Sequence, residues 1–254
     1  MLRFSSRQIL VFLILMTVIV RSGFTDSASV ELGFAGWQHE PGGNINWQGT
    51  NADLESGFKL DNQTEAFVWF RIEHPIPGVP NISLTHTRLK TDGSGTVTSA
   101  FNFGGTSFNV TDAIDSSLDL EQTDLTFFWN LVDTKKNIFS LGLTAKYING
   151  NAQATNLTTA TTESVDFSAV IPMVYGRIQI TLPITHVYMG AEGNAISYSG
   201  HKLTDARAFL GYRLASNVKV EVGYRRIALE LDNLDGVSSD LSFSGVYGGL
   251  AIKF

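Results

Sequence analysis

The chain has 254 residues, 43% of them hydrophobic and 17% charged, with a formal net charge of −6 and no cysteine. That length is ample for a sizeable core, and the lack of cysteine excludes a disulfide scaffold, thiolate zinc, a cysteine nucleophile and a lipid-modified N-terminal cysteine. The acidic balance argues against a general nucleic-acid binder, which wants a basic face, and a mean hydropathy of +0.06 is too low for a bundle of membrane helices.

The first element is an address. Arg3 and Arg7 precede an apolar run from Ile9 to Val20, followed by small and polar residues such as Ser22, Gly23, Ser27 and Ala28. This is the layout of a secretory signal peptide over 1–28, and the run falls short of the roughly 20 residues that span a bilayer as a helix. Arg21 and Asp26 blur the cleavage site, which is placed only between residues 23 and 29.

Residues 29–254 form one domain that reads with period two. Ala66, Val68, Phe70 and Ile72 alternate with Glu65, Phe67, Trp69, Arg71 and Glu73; Phe139, Leu141, Leu143 and Ala145 alternate with Ser140, Gly142, Thr144 and Lys146; Val218, Val220 and Val222 alternate with Lys219, Glu221 and Gly223. A strand puts each set on one face, whereas a helix scatters it. The pattern predicts ten strands, with eight as the alternative, at roughly 29–40, 63–74, 81–91, 117–130, 137–149, 162–171, 185–199, 203–214, 218–230 and 240–254. The sixth is the weakest, and Pro172–Pro183 either extends it or makes a short amphipathic turn. Long connections (41–62, 92–116, 150–161 and 231–239) alternate with mostly short ones (His74–Pro80, Val132–Lys136, Ala215–Asn217), the signature of an up-and-down antiparallel transmembrane β-barrel with short periplasmic turns and longer outer loops. In 92–116, Val97, Phe101 and Phe103 lead into Gly104-Gly105, a two-residue turn. The expectation there is a hairpin projecting beyond the membrane as the first candidate contact surface.

The last strand runs to Phe254. Tyr247, Gly249, Ile252 and Phe254 match the pattern of polar or aromatic residue, Gly and two alternate apolar residues in the C-terminal β-signal of outer-membrane proteins, the signal that barrel assembly machinery reads. Residues 73–81 (EHPIPGVPN), Asp124–Asp133 (DLTFFWNLVD), Gly190–Ser199 (GAEGNAISYS), Gly223–Arg226 (GYRR) and the final GGLAIKF together resemble a family of small outer-membrane β-barrel proteins from Gram-negative bacteria. The resemblance covers most of the mature chain and implies an outer-membrane barrel with no established activity.

Parity then assigns the lumen. Glu65, Arg71, Glu73, Asp124, Lys146, Glu192, Asp205, Arg207, Arg213, Lys219, Glu221 and Arg225 face inward, and paired charges of both signs fill a ten-stranded barrel. Trp129, Tyr147, Tyr198, Tyr212 and Phe254 suit aromatic girdles. Of the five histidines, His74 is expected to bond its Pro-rich turn, and His86 shares the face of Ile82 and Leu84. A Ser/His/Asp set can be drawn from Ser197, Ser199, His201 and Asp205, with His39 as another outer histidine, but nothing in the spacing enforces it. Asp112, Asp115 and Asp119 lack the glycine turn and bidentate Glu of a calcium loop. Four Asn-x-Ser/Thr sequons, at Asn62, Asn81, Asn109 and Asn156, read as polar loop sequence. No cofactor, metal or nucleic acid is expected. The expected partners are outer-membrane lipid, lipopolysaccharide and the assembly machinery, with oligomeric state open. The expected function is an integral outer-membrane barrel with a structural or interaction role. Alternatives are a narrow channel for small solutes, a membrane-embedded hydrolase and a soluble periplasmic barrel with a greasy interior.

Overall fold

The computed structural model describes residues 28–134, 136–183, 185–234 and 237–254; the expected signal peptide lies outside them apart from Ala28. Among the described residues every regular element is a strand: β1 (Ser29–Trp47), β2 (Ala52–Asp53), β3 (Gln63–Glu73), β4 (Asn81–Thr87), β5 (Lys90–Thr96), β6 (Phe101–Phe103), β7 (Thr106–Phe108), β8 (Ala113–Asp133), β9 (Asn137–Asn156), β10 (Thr161–Thr181), β11 (Val187–Tyr198), β12 (His201–Arg213), β13 (Val218–Leu234) and β14 (Val237–Lys253).

Antiparallel pairing runs from neighbour to neighbour, and β14 returns to β1 to close the sheet. The seam is sealed at its short-turn end by Phe254 N–H donating to the Val30 carbonyl at 2.8 Å, and Val30 N–H to that of Phe254 at 3.1 Å. Counting β4 and β5 as one interrupted strand, the barrel has ten strands, with β2 and the β6–β7 hairpin as extras. The interruption at Arg88 and Leu89 is bridged by Arg88 N–H to Ala66 O and Leu120 N–H to Leu89 O, so the ladder is not opened.

Period two fixes the two faces. On β9, Phe139, Leu141, Leu143 and Tyr147 point outward and are exposed, Leu143 by 61%, while Ser140, Thr144 and Lys146 point inward and are buried. The same exterior continues round the wall through Leu32 and Phe34, Leu84, Leu125 and Phe127, Val170 and Val174, and Val222 and Val246. From Phe139 to Tyr147 the strand rises about 26 Å, or roughly 20 Å along the axis at a tilt near 40°. This is the apolar belt of an outer-membrane type of barrel. Glycines make room for inward aromatics: a Cβ on Gly33 would sit 2.0 Å from the Trp69 ring, and one on Gly211 would sit 2.1 Å from the Tyr188 ring.

Above the belt both faces change sign. On β9 the outward residues become Asn149, Asn151, Gln153 and Thr155, while the inward ones become Ile148, Gly150, Ala152 and Ala154. The strands therefore continue into water around an apolar core. Two expectations are corrected here. The segments 150–161 and 231–239 are not long loops but mostly strand, with inward Ala152, Ala154 and Leu231 packed into an apolar interior. The hairpin at 101–108 exists, with Gly104 and Gly105 both at positive φ, but it does not project: Phe101, Phe103 and Phe108 are buried against Phe58 and Trp47. The apolar side chains that made it look like a display hairpin make it a lid. The loop beside it is tied by Asp53, which accepts from Glu55 N, Ser56 N and Ser56 Oγ. Burial opposes ionisation of Asp53, but the donated bonds prevail and hold its carboxyl below the ordinary range.

Pro172 lies inside β10, which is a single strand through the doubtful stretch. The β10–β11 ladder ends at Val174↔Ala195, just below Pro172. Above that point the β11 side of β10 is an edge among the described residues, and the missing N–H of Pro172 and the charge of Asp166 discourage stray pairing there.

Truncating the lid tests the upper core. Phe103→Ala is expected to cost about 3–5 kcal/mol locally, read as tryptic cleavage at Lys59 or Lys90 at protease levels that leave the wild-type chain and its belt strands intact.

Candidate functional site

The inward face at belt level carries charge, and the charges are arranged in two tiers. In the upper tier Lys146 is fully buried, 2.8 Å from Asp124 and 3.0 Å from Asp205, and it also donates to Gln122 at 2.9 Å. Arg225 grips Asp205 with a fork, Nε to Oδ1 at 3.0 Å and Nη2 to Oδ2 at 2.8 Å, and its Nη1 donates to Thr87 at 3.0 Å. These groups come from β4, β8, β9, β12 and β13, so they span the lumen rather than follow one wall.

The lower tier centres on Glu192. Arg207 reaches it at 2.5 Å, Arg71 at 3.0 Å and Arg177 at 3.5 Å, and the Tyr175 hydroxyl donates to it at 3.3 Å. Glu31 pairs with Lys219, accepts from Trp69 Nε1 at 3.1 Å and lies 3.9 Å from Arg71. Glu221 accepts from the hydroxyls of Tyr247 at 2.6 Å and Tyr188 at 3.5 Å. Arg207 also stands over the rings of Trp69 at 4.9 Å and Phe67 at 5.3 Å. Between the tiers the free volume is about 30 Å³, room for about one water. At this level the lumen is filled.

Each expected site residue has a place. Arg71, Glu192, Arg207, Lys219, Glu221 and Arg225 join the tiers; Glu73 meets Lys253 at 3.5 Å near the short-turn end, and Arg213 lies beside it with Thr181 at 3.4 Å. Glu65 stands apart: it points inward above the belt and lies 4.0 Å from Arg88 at the strand interruption. Two members escaped the sequence reading, Glu31 and Arg177. Glu31 has the opposite parity to Leu32, which would have found it, and Arg177 fell in the stretch left open between strand and turn. In the terminal motif, Tyr247 and Gly249 face inward and Phe254 outward.

The histidines do not assemble a catalytic set. His201 Nδ1 accepts from Asp232 N–H at 3.1 Å in the outer turn, while Asp205 is buried with Lys146 and Arg225. His39 is buried between Trp37 and Phe243, and neither ring nitrogen has a hydrogen-bond partner among the described residues. His74 bonds its turn through Pro80 O at 3.1 Å and Ile76 N at 3.3 Å, and His86 is outward, 3.0 Å from Thr123. Asp112 is spent on Asn109 N–H and Asn156 Nδ2, which hold its carboxyl below the ordinary range; no cluster of metal-ligating side chains occurs among the described residues.

No protein-family model and no curated protein matches the chain. Among solved structures, it is similar to Ail, the attachment invasion locus protein of Yersinia pestis, at 10% identity over 90% of this chain and 99% of that one, with a TM-score of 0.42. The transport unit of the autotransporter AIDA-I from Escherichia coli gives 8% identity, coverage of 92% and 91%, and a TM-score of 0.42. The outer membrane protease OmpT from Escherichia coli gives 13% identity, coverage of 91% and 98%, and a TM-score of 0.38. Membrane placement rests on this chain's own closed ladder, apolar belt and charged interior.

Removing the central ammonium separates the tiers energetically. Lys146→Met leaves Asp124 buried without its cation and is expected to cost about 3–5 kcal/mol, whereas Lys202→Ala, which breaks the exposed pair with Glu230, should change stability by about 0–1 kcal/mol. Urea unfolding of the refolded barrel, followed by tryptophan fluorescence, measures both.

Proposed function

We propose that the chain is an integral barrel of a Gram-negative outer membrane with a structural or interaction role. Its sealed lumen supports rigid strands that rise above the lipid and present their polar outer faces. The observation that carries this reading is the filled lumen, crossed by ion pairs at belt level and topped by the aromatic lid. That arrangement speaks against a narrow channel, and the commitment of Asp205 to Lys146 and Arg225, with His201 bonded to Asp232 N–H instead, speaks against a hydrolase. Outer-membrane lipid and lipopolysaccharide are the partners of the belt, and the barrel assembly machinery is the partner of Tyr247, Gly249, Ile252 and Phe254.

In planar bilayers the purified barrel should give a flat trace at potentials where porins conduct, and discrete current steps would overturn the sealed-lumen reading. In cells, the chain should fractionate with outer membranes and require detergent for release. Phe254→Asp should lower the folded yield in cells at least several-fold while leaving refolding in detergent unchanged. Equal losses in both settings would assign Phe254 to packing rather than assembly.

A further inference from the structure

Below Glu192 the lumen opens into a vestibule of about 360 Å³ at the short-turn end, at the small end of ligand-pocket volumes. Five cations line it, Arg71, Arg177, Arg213, Lys219 and Lys253, against two carboxylates. Those carboxylates are already engaged. Glu31 is held by Lys219 and Trp69, and Glu73 by Lys253 and the Ser29 hydroxyl, both at 3.5 Å.

The arginines retain capacity. The Arg213 guanidinium donates only to Thr181 at 3.4 Å and has no carboxylate partner among the described residues. Arg177 bonds Gln179 at 2.7 Å, and its Nε lies 3.5 Å from Glu192 without a hydrogen bond. Arg71 Nε also has no acceptor. Arg71 and Arg177 are 4% and 8% exposed, so water does little to satisfy them, and a buried charged donor left without an acceptor is destabilising. The three guanidiniums come from β3, β10 and β12 and meet at one cavity. Planar forks on several sides of a small space match a tetrahedral oxyanion better than they match a flat or neutral ligand.

We propose that this vestibule binds the phosphate group of a small anion, with Arg213, Arg177 and Arg71 as its donors. The chemistry stands on the cavity itself; that its mouth opens toward the periplasm rests on the proposed outer-membrane placement. A phosphate group can arrive free in solution or on a lipid headgroup entering from the adjacent leaflet, and the two sources are separable.

The test uses the whole refolded barrel in a neutral detergent at low ionic strength, titrated with inorganic phosphate by calorimetry. Saturable binding at one site per chain is expected, weakening as salt rises. Arg213→Gln and Arg177→Gln should each weaken it at least tenfold. Arg213→Lys, which keeps the charge but not the fork, should fall between, and Lys202→Gln on the far outer surface should match wild type. Heat-modifiable gel mobility confirms that each variant is folded. Displacement of phosphate by glycerol 3-phosphate supports a soluble ligand, and displacement by phosphatidylglycerol-doped micelles supports a headgroup. Absence of saturable phosphate binding, or equal affinity in the folded Arg213→Gln and Arg177→Gln variants, overturns the proposal, whatever the bilayer recordings show.

Discussion

Hydrocarbon offers no partner to a backbone N–H or C=O, and each one left open there costs several kcal/mol. The rest of this structure descends from that constraint. It requires the ladder between β14 and β1, which runs from Glu31↔Lys253 up to Trp47↔Val237. Once the sheet is closed, each strand has one face to lipid and one to the lumen, and a slip of one residue would place Arg71 or Lys146 in the bilayer. Register, parity and charge placement are therefore one decision. The short turns on one side add to it: Trp129 Nε1 donates to Gly78 O at 3.1 Å, tying an outward aromatic to the neighbouring turn.

The inversion of both faces above the belt divides the molecule energetically. Within the belt the exterior gains by being in lipid and the interior is held by ion pairs and hydrogen bonds. Above it the same strands bury Ile45, Phe58, Phe103, Ile114, Leu203 and Phe243, which is ordinary hydrophobic stabilisation in water. No change of fold is needed, because a strand's two faces are interchangeable in everything but their side chains. The lid hairpin belongs to that upper core, and its burial explains why the longest outer segment is not free to extend.

Parity made most of this legible in sequence. Ser140 to Lys146 against Phe139 to Tyr147 told inside from outside with no further help, and the strand number followed from counting such runs. What failed was the reading of segments whose alternation is faint. Asn149, Asn151, Gln153 and Thr155 look like a loop, and the inward Gly150, Ala152 and Ala154 are too small to announce a core. The 101–108 hairpin was visible through Gly104-Gly105, but its direction depended on an apolar interior that a polar-lumen expectation does not contain. The pairs within the lumen were not legible either. Lys146 and Asp205 are 59 residues apart, and nothing short of the closed register brings them to 3.0 Å.

Closing a lumen with charge is costly unless every group is compensated, and the lower tier shows how the compensation is shared. Glu192 alone faces three guanidiniums, which leaves positive charge in excess around it. Higher in the tier that excess is met by π faces: Arg207 lies near Trp69, Phe67 and Tyr247, and Arg71 near Phe128, each ring presenting its negative face to a cation. Toward the mouth the rings thin out, leaving Arg213 with Tyr188 at 5.8 Å. The chain as a whole is acidic, but part of its negative charge stands on exposed outer positions, among them Glu40, Asp115, Glu121 and Asp166, rather than at this mouth. The surplus cations of the sealed tier therefore surface at the short-turn mouth, where Glu31 and Glu73 are already engaged by Lys219 and Lys253 and Tyr188 is the ring beside Arg213.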